Sequence, residues 1–250
     1  MIGHRGAPLI APANTIASFR AAAGLGVDLV EFDVLALPRG PLVVAHSDRL
    51  EEVTHGAVTG RIGERSLAEL RELAPELPTF DEVLEWFAGE DEGLGAHVDL
   101  KLRTRMGEVA AAIGRHGLGD RAVVSTHYGD DLREIARTSP AIRLGFTYPE
   151  DRLGMARHRA LRPAVLAALS GLRRSLPRRL ARLLARSGAS ALMLNHTLVT
   201  PAAVRRAHEL GVPVLSWTVD DPAEAERVLA AGVDGVITND PGMLAATLAP

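Results

Sequence analysis

Two histidines, three carboxylates and two cations stand at spacings that let them act together. Glu31 and Asp33 lie two residues apart in the aliphatic run Leu29–Leu35. Residues i and i+2 of a strand project to the same side, so both carboxylates share one space while Phe32 points the other way. Asp99 and Lys101 repeat that spacing at the end of the Ala96–Leu100 run, His4 and Arg5 close the run Met1–His4, and His46 closes Leu42–His46. Buried carboxylates are costly unless a cation or a proton neutralises them. An all-oxygen set of Glu31, Asp33 and Asp99 suits one hard divalent ion, Mg²⁺ or Ca²⁺, better than zinc. Arg5 and Lys101 add the positive charge that an anionic substrate such as a phosphate diester needs. His4 and His46 remain for proton transfer, since imidazole titrates near neutral pH. Metal, cations and paired histidines together point to phosphoryl transfer.

Each residue alone has a plainer reading. His4 is an ordinary surface histidine, Glu31 and Asp33 are salt-bridge partners of arginines, and His46-Ser47-Asp48 is a turn. These readings would have to coincide at successive strand ends, which lowers their joint weight. His97 sits two residues before Asp99, deeper in the strand, and reads as structural.

The elements that must position these groups alternate short β-branched runs with segments of helical period, the pattern of parallel strands joined by crossover helices. The runs are Met1–His4, Leu29–Leu35, Ala96–Leu100, Ala122–Thr126, Ile142–Thr147, Ala191–Asn195, Val212–Trp217 and Gly235–Ile237. Leu42–His46 reads as a hairpin partner or extension of the second run. Without it the strands number eight, which closes a (β/α)₈ TIM barrel, with chemistry expected on the C-terminal face. Ile16, Phe19 and Ala23 recur at helical spacing behind Asn14 or Thr15 as cap. Residues 47–94 fit no simple βα unit and are expected to form a small insertion after the second strand, within a single domain spanning 1–250.

The 250 residues include no cysteine, which excludes disulfides, thiolate ligands and cysteine nucleophiles. A net charge of −3 gives no global attraction to nucleic acid. No signal peptide is visible at Met1-Ile2-Gly3-His4, and no apolar run approaches the roughly 20 residues of a membrane span, so a cytoplasmic location is expected. Residues 152–187 are rich in Arg, Leu and Ala and read as a pair of amphipathic helices broken at Pro163 and Pro177. Peripheral membrane contact through their basic face is the minor alternative. The sequence carries no signal of an oligomeric state.

The residues resemble the glycerophosphodiester phosphodiesterases. The likeness runs through His4-Arg5-Gly6, Asn14-Thr15, Phe19, Glu31-Phe32-Asp33-Val34, Val43-Val44-Ala45-His46, Leu77-Pro78-Thr79, Asp81-Glu82-Val83-Leu84 and Val98-Asp99-Leu100-Lys101. It closes with Val214 to Asp220 and Gly232 to Thr238, and so covers nearly the whole chain. The resemblance implies a (β/α)₈ barrel that hydrolyses glycerophosphodiesters to glycerol 3-phosphate and an alcohol. It implies His4 and His46 as general acid and base, Glu31, Asp33 and Asp99 as metal ligands, and Arg5 and Lys101 on the phosphate, with Trp217 against the glycerol portion. It also implies that the glycerol 2-hydroxyl can attack first, giving a cyclic phosphate that water opens. Departures from the pattern are Asp99 for glutamate, Ser47 after the second histidine, Glu52 for arginine, Ala13 for glutamate, Arg39-Gly40 for an Asp-Gly turn, and Asp220 for asparagine. Two alternatives are cleavage of lysophospholipid headgroup esters, motivated by the basic 152–187 segment, and a non-catalytic phosphodiester-binding protein, motivated by the drift at Asp99, Ser47 and Glu52.

Overall fold

A computed structural model describes residues 1–90, 93–150 and 162–248. Nine strands occur among them: β1 (Ile2–His4), β2 (Leu29–Ala36), β3 (Leu42–Val44), β4 (Gly95–Leu100), β5 (Ala122–Thr126), β6 (Arg143–Tyr148), β7 (Ala191–Asn195), β8 (Val214–Trp217) and β9 (Gly235–Thr238). They pair in the order β1-β9-β8-β7-β6-β5-β4-β2-β3, and a β1–β2 pairing closes the ring. All ring pairs are parallel, whereas β3 lies antiparallel to β2 from Val34↔Val44 to Ala36↔Leu42. The result is a closed (β/α)₈ barrel with one hairpin strand added at its mouth.

Strand alternation divides the sheet into two chemistries. On the outer face, Val30, Phe32 and Val34 are fully buried beneath the crossover helices. There Phe32 packs between Phe19 and Phe87, with ring centroids 5.6 and 5.7 Å away. Phe19 comes from the helix Ile16–Gly24, capped by the Thr15 side chain, and Phe87 from the helix Phe80–Gly89, held by a capping box between Thr79 and Glu82. On the inner face, Val123, Ala191 and Met193 fill the floor. Gly145 makes room for that filling, because a Cβ there would stand 2.4 Å from the Met193 methyl.

The expected insertion, 47–94, divides in two. Leu37, Val43, Ala45, Leu50, Ile62, Leu70, Ala74 and Leu77 form a separate small core around the short helices Leu50–Val53 and Leu67–Leu73. Phe80, Val83, Leu84 and Phe87 instead join the main core, so the helix Phe80–Gly89 is the crossover between β2 and β4.

The expected pair of helices in 152–187 is corrected. A single helix runs from Arg162 to Ser187 with Pro177 inside it, while 151–161 lie outside the described residues. Proline in a helix interior costs about 3 kcal/mol. Leu176, Leu180 and Leu184, four residues apart, are all buried against the barrel. Each such burial contributes about 1.5–3 kcal/mol, which outweighs one proline and holds the helix through it.

Candidate active site

The carboxylates converge because four neighbouring strands are in register. His4 pairs with Glu31, Glu31 with His97, Asp33 with Asp99, and Asp99 with Ser125. Inward-pointing positions therefore stack into two polar layers at the C-terminal end of β1, β2, β4 and β5. Oxygens of Glu31, Asp33 and Asp99 all lie within 4.8 Å of one another, and all three residues are buried. The shorter side chain of Asp99 still reaches the group.

The turn after β1 is shaped to serve this cluster. Arg5 adopts a left-handed backbone with φ of 56°, and its N–H donates to Glu31 Oε2 at 2.8 Å. Gly6 follows at φ 89°, where a Cβ would meet the Ser18 backbone at 2.6 Å. Arg5 Nε lies 2.9 Å from Asp33 Oδ2, and Lys101 Nζ lies 3.0 Å from Asp33 Oδ1. Lys101 also pairs with Asp99. Asn14, again left-handed at φ 62°, donates from Nδ2 to Asp33 Oδ2 at 2.9 Å and accepts the Asp33 N–H at 3.2 Å.

Charge balance tests the fit to a cation. Three carboxylates face two cations, Arg5 and Lys101, which leaves one negative charge uncompensated. Burial opposes the charge of Asp33, but Lys101, Arg5 and the Asn14 hydrogen bond hold its carboxyl well below the usual range. Burial likewise opposes Asp99, which Lys101 and the Ser125 hydroxyl at 2.5 Å keep low. Glu31 carries the excess: burial, then Asp33 and Asp99, push it well above the usual carboxylate range. Lys101 is desolvated, yet Asp99, Asp33 and Glu31 raise it above its ordinary value. A compact, all-oxygen, net-negative set of this kind fits one hard divalent ion.

Both histidines are oriented by partners outside the cluster. His4 Nδ1 lies 2.7 Å from Asn239 Oδ1. The amide of Asn239 is fixed in turn, because its Nδ2 donates to Asp220 Oδ2 at 2.7 Å and its backbone N–H to Asp220 Oδ1 at 2.7 Å. Oδ1 can only accept, so His4 carries its hydrogen on Nδ1 and turns the Nε2 lone pair toward Glu31, 3.9 Å away. His46 follows β3 and places Nδ1 3.5 Å from Glu52 Oε1, while Ser47 N–H donates to Glu52 Oε2 at 3.0 Å. Burial, ahead of the nearby Arg5 guanidinium, lowers the pKa of both imidazoles. They are therefore neutral, and able to accept a proton, at neutral pH.

A cleft of about 470 Å³ opens above the cluster. His4, Arg5, Glu31, His46, Asp99, Lys101 and Trp217 line it, and Asp33 lies fully buried behind them. All eight residues expected from the sequence are thus brought to one place. Trp217 donates from its ring N–H to the Met193 carbonyl at 3.0 Å, which sets its ring against the cleft. The sequence reading missed Asn14 as a partner of Asp33, Ser125 as a partner of Asp99, and the Asp220–Asn239 pair behind His4. His97 also faces the cleft: its Nε2 lies 2.9 Å from Ser125 Oγ, and burial lowers its pKa to about 4. The i, i+2 spacing of His97 and Asp99 was the signal available for it.

The chain's relatives share this architecture. The model of the glycerophosphoryl diester phosphodiesterase family matches residues 4–243. A glycerophosphodiester phosphodiesterase of Caldanaerobacter subterraneus subsp. tengcongensis is 27% identical over 260 residues, covering 98% of this chain and 95% of its own. In fold, the chain resembles an Oleispira antarctica phosphodiesterase solved with the product sn-glycerol-3-phosphate, at a TM-score of 0.72 and 22% identity over 99% of this chain and 95% of the other. The glycerophosphodiester phosphodiesterase of Thermotoga maritima aligns with a TM-score of 0.72 and 21% identity, covering 98% and 96%.

Proposed function

The chain belongs to the glycerophosphoryl diester phosphodiesterase family, and from that premise we propose that it hydrolyses glycerophosphodiesters to glycerol 3-phosphate and an alcohol. The observation that carries this reading is the joint placement of three carboxylates within 4.8 Å, two cations and two partnered histidines at one barrel mouth. Glu31, Asp33 and Asp99 would hold one Mg²⁺ or Ca²⁺, which when bound polarises a phosphoryl oxygen and balances the carboxylate charge.

The chain's own residues supply the rest. Arg5 and Lys101 present fixed positive charge to the phosphate, and their pairing with Asp33 and Asp99 sets where that charge sits. His4, held as the Nδ1–H tautomer, offers Nε2 as a proton acceptor for the attacking hydroxyl or water. His46, on the segment after β3, acts from its imidazolium form: it takes a proton from solvent and donates it to the leaving oxygen, and His4 gives the proton it has accepted back to solvent. The Trp217 ring, on the far side of the cleft, gives the glycerol portion an apolar wall.

Among the described residues no helix is long and apolar enough to cross a membrane. A cytoplasmic location and action of 1–250 as one catalytic unit belong to the same proposal. The test is release of glycerol 3-phosphate from glycerophosphocholine with Mg²⁺ or Ca²⁺ supplied. Turnover is expected to depend on the added ion and to be lost in His4→Ala and in His46→Ala. Full activity in both variants would overturn the assignment of the acid and base.

A further inference from the structure

Among the described residues only three large hydrophobic side chains are exposed, and two of them are neighbours: Leu9 at 70% and Ile10 at 64%. Both sit at the apex of the loop that follows His4 and Arg5. The feet of this loop stand in the active site. Asn14 N–H donates to the Arg5 carbonyl at 3.1 Å, and Arg5 and Asn14 both contact Asp33. The apex therefore rises beside the cleft, not at a distant surface.

Its composition is unusual for an exposed turn. From Ala7 to Ala13 the chain reads Ala-Pro-Leu-Ile-Ala-Pro-Ala, with no polar side chain. Exposed runs of apolar residues are avoided unless they have a use. Several of the turn's backbone donors are absent or already paired. Pro8 and Pro12 have no N–H. Ala7 N–H donates to Ser18 at 2.8 Å to the hydroxyl, and Ile10 and Ala11 N–H donate to the Ala7 carbonyl at 2.9 and 3.2 Å. The Pro12 carbonyl accepts the Thr15 hydroxyl at 2.7 Å. Few donors would need to leave water if the apex entered an apolar phase.

We infer that the Leu9–Ile10 apex is an interfacial anchor that enters the acyl-chain region of a lipid surface and brings the cleft to phosphodiesters carried there. This rests on the hydrolase reading for its substrate, though not for the anchoring itself. Two aliphatic side chains cannot supply the roughly 800 Å² per partner of a stable protein interface, whereas shallow insertion needs no such area. The apex from Ala7 to Ala13 carries no basic side chain to draw it to anionic headgroups, so the surface it fits is zwitterionic.

The experiment compares the wild-type chain with the double variant Leu9→Ser, Ile10→Ser in two assays. The first is flotation with phosphatidylcholine vesicles. The second is turnover of soluble glycerophosphocholine against lysophosphatidylcholine embedded in those vesicles. The wild type is expected to float and the variant to stay in solution. On the vesicle-borne ester the variant should lose about tenfold or more, with glycerophosphocholine turnover kept within about twofold. Equal flotation of both proteins, or none by either, overturns the anchor whatever the turnover shows. So does sedimentation in which Leu9 and Ile10 are needed for a dimer and not for vesicles. Absence of turnover on both esters by a floating wild type refutes the hydrolase reading and leaves the anchor standing.

Discussion

The two faces of the same β-strands obey one alternation and have opposite contents. Outward positions of β2 hold Val30, Phe32 and Val34, all fully buried in a continuous apolar core with the helices. Inward positions of the same strand hold Glu31 and Asp33, also buried but ionisable. Around the ring the inner face changes again, from the polar residues of β1, β2 and β4 to Val123 low on the adjacent β5 and to Met193 and Leu215 on β7 and β8. The barrel draws its stability from the sheet–helix layer. That frees one quadrant of the interior to hold groups that cost folding energy and do chemistry.

The largest expected effect comes from the polar quadrant. His4→Ala and His46→Ala should each lower kcat by about 10²–10⁴-fold, the range for a lost general acid or base. Steady-state kinetics with thermal melts would show this loss without a matching fall in Tm. The outer face should give the reverse. Phe32→Ala removes a ring packed among Phe19, Phe80 and Phe87. It is expected to cost about 3–5 kcal/mol in urea unfolding, with kcat/KM of the folded fraction within about twofold. If Phe32→Ala abolished turnover while remaining folded, the division between the two faces would fail.

A smaller effect tests how far the polar quadrant extends. Asp220 touches neither carboxylate cluster nor cleft, but it fixes the Asn239 amide that sets the His4 tautomer. Asp220→Ala should lower kcat about tenfold with KM little changed. Asp220→Asn, which can still accept the backbone N–H, should recover part of that loss. Equal kcat in wild type and Asp220→Ala would confine the site to the cleft residues.

The subtlest expectation concerns sign. Glu31 has a folded-state pKa raised above its ordinary value of 4.5. Its contribution to stability is therefore complete below that value and is lost as pH rises through the raised one. In metal-free protein, Tm should fall with rising pH more steeply for wild type than for Glu31→Gln. Added Mg²⁺ or Ca²⁺ should raise the wild-type Tm and raise that of Glu31→Gln less. A larger metal-induced rise in the variant would remove Glu31 from the ligand set.

Much of this was legible in the chain because strand periodicity is local. Glu31-Phe32-Asp33 and Asp99-Leu100-Lys101 reveal their shared sides within three residues, and the β-branched runs number the strands without any tertiary information. The helix through Pro177 was not legible, because its persistence depends on Leu176, Leu180 and Leu184 finding the barrel wall. The end of the insertion was hidden for the same reason: nothing local shows that Phe80 and Phe87 join Phe32 while Leu70 and Leu77 do not.

The sequence alone determined the fold class, the strand count and the identity of the groups able to carry charge and protons. Tertiary structure decided their relations. Register placed Asp33 beside Asp99 and Glu31 beside His97. Ring closure brought Asn239, 235 residues along the chain, onto His4, and the left-handed turn at Arg5 aimed a backbone N–H at Glu31. The physical reason is range. Side-chain direction along a strand is fixed by its immediate neighbours, whereas pKa values and tautomers are set by charges and hydrogen bonds a few ångströms away in space and far away in sequence.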